Sequence, residues 1–150
     1  MKLDQVKIAL IAIRENFVEH CVKHDLRFPI DDLEGACGIC SLLVFRMLKK
    51  MRYRPVFHMN NDHCFVTVNG YWIDLTLKQF IPHIDPVFFE NHPYRTKSDR
   101  YFAHRSKKKA TTERCIRRLF AKWPKDQNPF KQNIPKLPKS IHLTIYKSVV

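Results

Sequence analysis

The sequence has no long hydrophobic run. Nowhere do its 150 residues approach the ~20 consecutive apolar residues that are needed to cross a bilayer. The pattern of a secretory signal peptide is also missing, because Lys2 and Lys7 flank Asp4 and Arg14 interrupts the apolar positions that follow. Internal repeats are absent as well. We therefore expect a single cytoplasmic domain without a transmembrane segment.

Acidic residues are scarce in the last sixty positions. Residues 91–150 contain 3 Asp and Glu against 16 Lys and Arg, whereas residues 1–90 contain 11 of each. This excess exceeds what solubility requires, so it favours an anionic partner (nucleic acid, an acidic protein surface or anionic lipid) over a merely solvated surface. No nucleic-acid recognition motif accompanies it, so base-specific binding has no support. The candidate anion-binding residues are Lys107, Lys108, Lys109, Arg114, Arg117 and Arg118.

Cysteines number five and are scattered among apolar neighbours. Without an export signal, an odd number of cysteines predicts reduced thiols rather than a disulfide framework. A nucleophilic thiol, a metal ligand and simple packing in the core are then the roles open to them. Cys21 and Cys115 fall on apolar faces, which favours packing for both.

Hydrophobic periodicity predicts an α+β domain of helices packed on a small antiparallel sheet. Apolar positions recur at helical spacing from Leu3 to about His24, and a second helix, apolar almost all round, runs from Cys37 to about Met51. The remaining predicted elements are a strand at 53–59, a hairpin at 63–76, an irregular aromatic loop at 80–94, a helix from Thr112 to before Pro124, and a closing strand containing Ile141, Leu143 and Ile145.

The hairpin carries the first chemical signal. Asn69-Gly70 between two β-rich runs predicts a two-residue turn, because both turn positions need positive φ. That turn pairs Val68 with Tyr71 and Val66 with Ile73, and side chains alternate between the two faces of a strand. His63 and Asp74 are therefore diagonal neighbours on one face, where a carboxylate can orient an imidazole.

The second signal is Gly35-Ala36-Cys37 at the start of the buried helix. A helix N-terminus stabilises a thiolate, which is a far better nucleophile than a thiol. The order is thus a cysteine on a helix, followed by a histidine and an aspartate on adjacent strands. If Cys37 attacks a carbonyl, its own backbone amide and one unidentified donor would form the oxyanion hole.

Residues from about 35 to 77 resemble the transglutaminase-like division of the papain-like cysteine hydrolases. The segment from His63 to Val68 is similar to the family's His-Ala-Trp-Val-x-Val strand, and Ile73-Asp74-Leu75-Thr76 is similar to its strand ending in Asp-Pro-Thr. Leu75 replaces the proline, and Arg52 replaces the glycine that ends the helix. The resemblance implies that Cys37 is the nucleophile, His63 the general base and acid, and Asp74 the residue that orients His63. We therefore predict a transglutaminase-like catalytic core at 1–90, and the apolar faces of the C-terminal helix and strand predict that the basic extension at 91–150 packs on that core.

Two other interpretations compete for the same residues. Glu34-Gly35-Ala36-Cys37-Gly38-Ile39-Cys40 also resembles a papain segment whose second cysteine attacks, which makes Cys40 the alternative nucleophile. Cys37, Cys40, His63 and Cys64 include the residue types of a zinc site, but neighbours on a strand point to opposite faces, so His63 and Cys64 should not converge. We expect no metal and no cofactor.

The predicted function is a cysteine-dependent hydrolase or acyltransferase that acts on an amide bond of a protein or peptide. Its reaction would be that of a peptidase, a glutamine deamidase or a transglutaminase, depending on the acceptor and the substrate cleft. The alternative function is a non-catalytic protein that binds nucleic acid through residues 91–150.

Overall fold

The computed structural model describes residues 1–91, 107–139 and 141. Within them, three α-helices and a five-stranded antiparallel sheet confirm the α+β class. The predicted closing strand lies mostly outside the described residues, since only Ile141 of its apolar positions is included. In chain order the elements are α1 (Leu3–Lys23), α2 (Cys37–Lys50), β1 (Val56–Met59), β2 (Cys64–Val68), β3 (Tyr71–Asp74), β4 (Phe88–Asn91), β5 (Lys108–Ala110) and α3 (Glu113–Leu119), with short 3-10 helices at Leu77–Gln79 and Pro129–Lys131.

Helix α2 is the centre of the domain. It packs against α1 on one side and against β1, β2 and β3 on another, and this explains why its sequence is apolar almost all round. Helix α1 contributes a single stripe at three- and four-residue spacing: Val6, Ala9, Leu10, Ile13, Phe17 and Cys21. Both helices begin at the predicted residues. The spacing of apolar residues predicts them well because it reflects which side chains are buried.

The sheet has the strand order β4-β3-β2-β1-β5. The predicted hairpin register is confirmed, with Val68 opposite Tyr71 and Val66 opposite Ile73. The turn residues Asn69 and Gly70 have φ of 48° and 81°, the left-handed conformation that such a turn requires. One face of the hairpin joins the main core beneath α2, while the other forms a smaller cluster of Phe65, Trp72, Leu77 and Phe88.

Of the two outer strands, one falls where the sequence predicted a loop, which was wrong, and the other was not predicted. Residues 88–91 form β4, although we expected an irregular loop over 80–94, and Phe88 pairs with Asp74 of β3. Lys108–Ala110 forms β5 against β1, with Ala110 buried opposite Phe57. An unpaired edge of a sheet can form hydrogen bonds with any segment that reaches it. Whether β4 and β5 form therefore depends on the path of the chain rather than on local strand propensity.

Residues 107–139 pack closely on the core. The Phe120 ring is fully buried and meets Phe57 edge-on, with ring centroids 5.9 Å apart. Arg46 on α2 forms an ion pair with Glu113 on α3.

The predicted domain boundary after Glu90 falls within β4. Every helix in the described ranges is too short or too polar to span a membrane.

Candidate active site

Cys37 is the first residue of α2 and is 7% exposed. The chain reaches it through Leu33 and Gly35, whose φ values of 55° and 84° fold the preceding residues back on themselves. The backbone N–H of Ala36 donates to the Leu33 carbonyl oxygen at 3.0 Å and fixes the approach to the helix. The thiol of Cys37 therefore lies at the positive end of the helix dipole.

His63 immediately precedes β2 and is 1% exposed. Asn60, which is itself buried, shapes the turn before it, because its side-chain oxygen accepts the backbone N–H of Asp62 at 3.1 Å and of His63 at 2.7 Å. The backbone N–H of Asn60 in turn donates to the His63 carbonyl oxygen at 3.0 Å. Asn60 thus holds the backbone of His63 from both sides.

Asp74, the last residue of β3, meets the imidazole as its strand position predicts. His63 Nε2 lies 2.5 Å from Asp74 Oδ2, and both side chains are 1% exposed. The other carboxylate oxygen, Oδ1, accepts the backbone N–H of Thr76 at 2.8 Å and the Thr76 hydroxyl at 3.1 Å. With both carboxylate oxygens engaged, the carboxylate holds a single orientation towards the ring.

Cys37 approaches the same imidazole from α2. The pKa values of Cys37 and His63 depend on each other, and Asp74 is bonded to the same imidazole, so the structure brings together all three residues that the resemblance singles out. The pKa of His63 rises to about 10, because attraction to Asp74 and the hydrogen bond to its carboxylate outweigh the lowering effect of burial, with a further contribution from Cys37. A histidine with this pKa carries a positive charge at neutral pH.

The Cys37 thiol has the opposite shift, and its largest cause is Cys64. Hydrogen bonds from the Cys64 side chain, from His63 and from the Cys64 backbone, together with the positive charge on His63, lower the pKa of Cys37 to about 5 despite burial. Cys64 itself has its pKa raised well above the ordinary range, first by burial and then by Cys37. Cys64 therefore remains a thiol that donates to the Cys37 thiolate.

The contribution of Cys64 was missed at the level of sequence. We expected neighbouring strand residues to point away from each other, so that His63 and Cys64 would not converge, yet both interact with Cys37. Cys64 lies in the main core, whereas His63 stacks with Phe65 of the smaller cluster, so the two side chains do lie on opposite faces of the sheet, and Cys37 at the helix start interacts with both. The zinc interpretation gains nothing from this convergence, since the described ranges contain no group of three or more His, Cys, Asp or Glu placed to hold a metal ion.

Cys40, the alternative nucleophile, lies one turn further along α2. It is 1% exposed within the main core, and burial followed by repulsion from Cys37 raises its pKa well above the ordinary range. All five cysteines carry free thiols. Cys40 thus has the environment of a packing residue.

Aromatic rings surround the imidazole. Phe80 meets His63 edge-on at 5.0 Å between ring centroids, and Phe65 lies 6.4 Å from it in a stacked orientation. The stack continues from Phe65 to Trp72 at 4.1 Å. These rings lower the local dielectric constant, which strengthens the attraction between the imidazolium and its two anionic partners.

A cleft of about 260 Å³ opens beside Cys37. Its walls come from four parts of the chain: the connection between α1 and α2, the start of α2, the turn between β1 and β2, and the segment after α3. The lining residues are Arg27, Gly35, Cys37, Gly38, Asn61, Asp62, Trp123 and Gln127. Cys37, at 7% exposure, therefore borders the cleft, while His63 and Asp74 lie outside its lining and are more deeply buried.

The six candidate anion-binding residues lie away from this cleft lining. Lys107 to Lys109 lie at and just before β5, while Arg114, Arg117 and Arg118 lie on α3. All six are exposed. Arg117 also stacks over the Phe130 ring at 4.2 Å, which gives its guanidinium a structural role as well.

Comparisons of the chain with models of known protein families, with curated proteins and with solved structures found no match. The transglutaminase-like resemblance therefore depends on the residues between about 35 and 77 and on no wider similarity.

Proposed function

We propose that this protein is a cysteine-dependent amide hydrolase or acyltransferase with Cys37 as the nucleophile, in a transglutaminase-like fold. The single observation that carries the proposal is the position of His63, whose imidazole is hydrogen bonded to the Asp74 carboxylate and interacts electrostatically with the Cys37 thiol at the start of α2. A thiolate paired with an imidazolium is the resting form that thiol hydrolases use.

In the first half-reaction, the Cys37 sulfur attacks the carbonyl carbon of the substrate and a C–S bond forms. The carbonyl electrons move to oxygen and give a tetrahedral oxyanion. When this collapses, the C–N bond breaks and His63 donates its proton to the departing nitrogen. Because Nε2 is bonded to Asp74, the proton is transferred through Nδ1. A thioester on Cys37 and a free amine remain.

In the second half-reaction, an acceptor attacks the thioester while neutral His63 removes its proton. The C–S bond breaks, and the thiolate and imidazolium are restored. Water as acceptor gives hydrolysis of a peptide bond or deamidation of a glutamine side chain, whereas an amine gives a new amide. The substrate is a protein or peptide in each case, and a reducing cytoplasm is the setting that suits a free thiolate.

The environments of the two cysteines on α2 support this choice of nucleophile. Cys37 borders the cleft, while Cys40 lies in the core with a raised pKa. A buried thiol without a thiolate-stabilising partner is a poor nucleophile.

The test is labelling with a peptide vinyl sulfone at pH 7, followed by mass mapping of the modified residue. We expect a single adduct on Cys37, strongly reduced by His63→Ala and unaffected by Cys115→Ala, which changes a cysteine of α3 outside the cleft lining. Modification of all accessible cysteines at similar rates, or of none, would overturn the proposal.

A second function is favoured by the exposure of all six candidate cations on β5 and α3. We propose that this surface binds nucleic acid through phosphate contacts. Affinity for a duplex or single strand should then fall steeply with salt and fall further when Arg114, Arg117 and Arg118 are replaced by glutamine. Binding that is insensitive to salt and to this triple substitution would exclude the surface.

A further inference from the structure

The wall of the cleft opposite the helix start is a turn held by Asn128. The backbone N–H groups of Gln127 and Asn128 donate to the Pro124 carbonyl oxygen at 2.9 and 3.0 Å. The Asn128 side chain, 3% exposed, donates to the Phe120 carbonyl oxygen at 3.0 Å and accepts the backbone N–H of Phe130 at 3.0 Å. These four hydrogen bonds fix the backbone at Gln127.

Gly38 allows this turn to lie close to the reacting sulfur. A Cβ at Gly38 would lie 3.5 Å from Pro129 Cδ, which is an ordinary contact, but only 3.2 Å from the Phe120 ring, so the ring would have to shift by a few tenths of an ångström. Phe120 and Pro129 flank the turn on either side. Gly38, the residue after Cys37, therefore allows the segment at 124–128 to pack against the first turn of α2.

Gln127 and Cys37 consequently line the same cleft. Gln127 is exposed, and its neutral primary amide offers two N–H donors without the charge of an arginine or lysine. Such a donor can bind the oxyanion that forms when a thiolate attacks a carbonyl. We propose that the Gln127 side chain is the second donor of the oxyanion hole, beside the backbone N–H of Cys37. This inference depends on the proposed hydrolase or acyltransferase function.

The charged residues of the cleft suit this role less well. The Arg27 guanidinium already donates to the Asp126 carboxylate at 3.1 Å and to the Asp126 carbonyl oxygen at 2.9 Å. Asp62 carries an anionic group that would repel an oxyanion. Asn61, which carries the other primary amide in the lining, and Trp123, whose indole N–H can donate, are the rival donors.

Two reactions of the same sulfur separate an oxyanion donor from a merely structural residue. Acylation by p-nitrophenyl acetate passes through a tetrahedral oxyanion and releases one p-nitrophenolate per acylated thiol. Alkylation by iodoacetamide displaces iodide and forms no oxyanion. Loss of an oxyanion donor therefore slows acylation and leaves alkylation unchanged.

We expect Gln127→Ala to slow the p-nitrophenolate burst by about 100-fold. The alkylation rate of Cys37 should stay within twofold of the wild-type rate, which also reports that the site has folded. Gln127→Glu should slow acylation at least as much, because a carboxylate cannot donate and repels the oxyanion. Gln5→Ala, on α1 away from the cleft lining, is the matched control and should react as the wild type does.

An unchanged acylation rate in Gln127→Ala would overturn the assignment, as would a loss found only in Asn61→Ala or only in Trp123→Phe. Parallel loss of acylation and alkylation would also overturn it, since that pattern reports damage to the thiolate. Absence of both reactions at Cys37 in the wild-type protein would instead remove the proposed function, so the two failures are distinguishable.

Discussion

Cys37 and Cys40 lie three residues apart on α2, yet their thiols have opposite properties. The pKa of Cys37 falls to about 5 because hydrogen bonds from Cys64 and His63 outweigh burial. The pKa of Cys40 rises because burial has no comparable compensation, and the charge on Cys37 raises it further. Both residues belong to the main core, but Cys37 also borders the cleft and interacts with His63 and Cys64, whereas Cys40 is 1% exposed and does not line the cleft.

The Cys37 thiolate is stabilised by His63 and Cys64 at the start of the hairpin, and not by the helix dipole alone. The helix dipole acts on the first turn and contributes typically 0.3–1 kcal/mol at ~25 °C. Lowering a cysteine pKa from ~8.5 to near 5 requires several kcal/mol, at about 1.4 kcal/mol per pKa unit. The hydrogen bonds from Cys64 and His63 must supply most of this difference.

The largest expected effect comes from removing each cysteine in turn. Cys37→Ala should abolish both iodoacetamide labelling at pH 6 and the p-nitrophenolate burst, because it removes the only described thiol with a lowered pKa. Cys40→Ala should retain both reactions and lower the stability to urea, since it removes a core side chain. If Cys40→Ala were the variant that loses reactivity, the comparison would be reversed.

The next effect is the pH dependence conferred by His63. Only the thiolate reacts, so alkylation of wild-type Cys37 should rise with pH through about 5 and then level off. Acylation by a peptide amide also needs the imidazolium to protonate the departing nitrogen and should decline as pH passes about 10. The p-nitrophenolate of the ester assay leaves without a proton, so this limit is measured with an amide substrate. In His63→Ala the rise in alkylation should move towards the ordinary cysteine range of ~8.5, with a loss of at least about tenfold at pH 6.

Asp74→Asn is measured by the same pH profiles and should give a smaller effect than His63→Ala. The amide keeps the shape of the carboxylate and removes its charge, so the pKa of His63 should fall and the upper limit of the acylation profile should move to lower pH. An upper limit unchanged in Asp74→Asn would show that the carboxylate does not control the protonation of His63.

Some parts of this site can be predicted from the sequence, and others cannot. The pairing of His63 with Asp74 follows from an Asn-Gly turn and the two-residue period of strands, which are both local rules. Placing Cys37 at a helix start is also local. The meeting of these parts depends on how α2 packs across the sheet, which no periodicity specifies.

The remaining features could not be predicted because they come from contacts between distant segments. From the sequence, Cys64 is predicted only to be a core residue in a strand. Its effect on the pKa of Cys37 becomes evident only when α2 is packed on the sheet. The cleft wall at Trp123 and Gln127 depends on Phe120 and Pro129 packing against Gly38. A helix glycine beside the nucleophile was the available signal for such a close approach.

Removal of the Cys64 thiol should give a smaller effect than removal of His63, because Cys64 is the largest single cause of the lowered Cys37 pKa but His63 contributes both a hydrogen bond and a positive charge. Cys64→Ala deletes the side-chain donor but keeps the backbone N–H that also reaches Cys37, so the pKa of Cys37 should rise without reaching that of an ordinary thiol. The midpoint of the alkylation profile measures this shift. Cys21→Ala, a buried cysteine on α1, is the matched control and should leave the midpoint in place. A midpoint unmoved in Cys64→Ala would assign the thiolate stabilisation to His63 and the helix.

The smallest effect is expected at Thr76, which supports Asp74 from behind. Thr76→Val preserves the shape of a side chain that is 1% exposed and removes only the hydroxyl that donates to Asp74 Oδ1, while the backbone N–H at 2.8 Å remains. The loss of one such hydrogen bond should reduce the free energy of unfolding by about 1 kcal/mol, measured by urea denaturation. The alkylation profile of Cys37 should stay within about threefold of wild type, because Nε2 of His63 still meets Oδ2. A large kinetic loss with unchanged stability would instead mean that the hydroxyl sets the orientation of the carboxylate, and that the reactivity of the first turn of α2 depends on a residue two positions beyond the sheet.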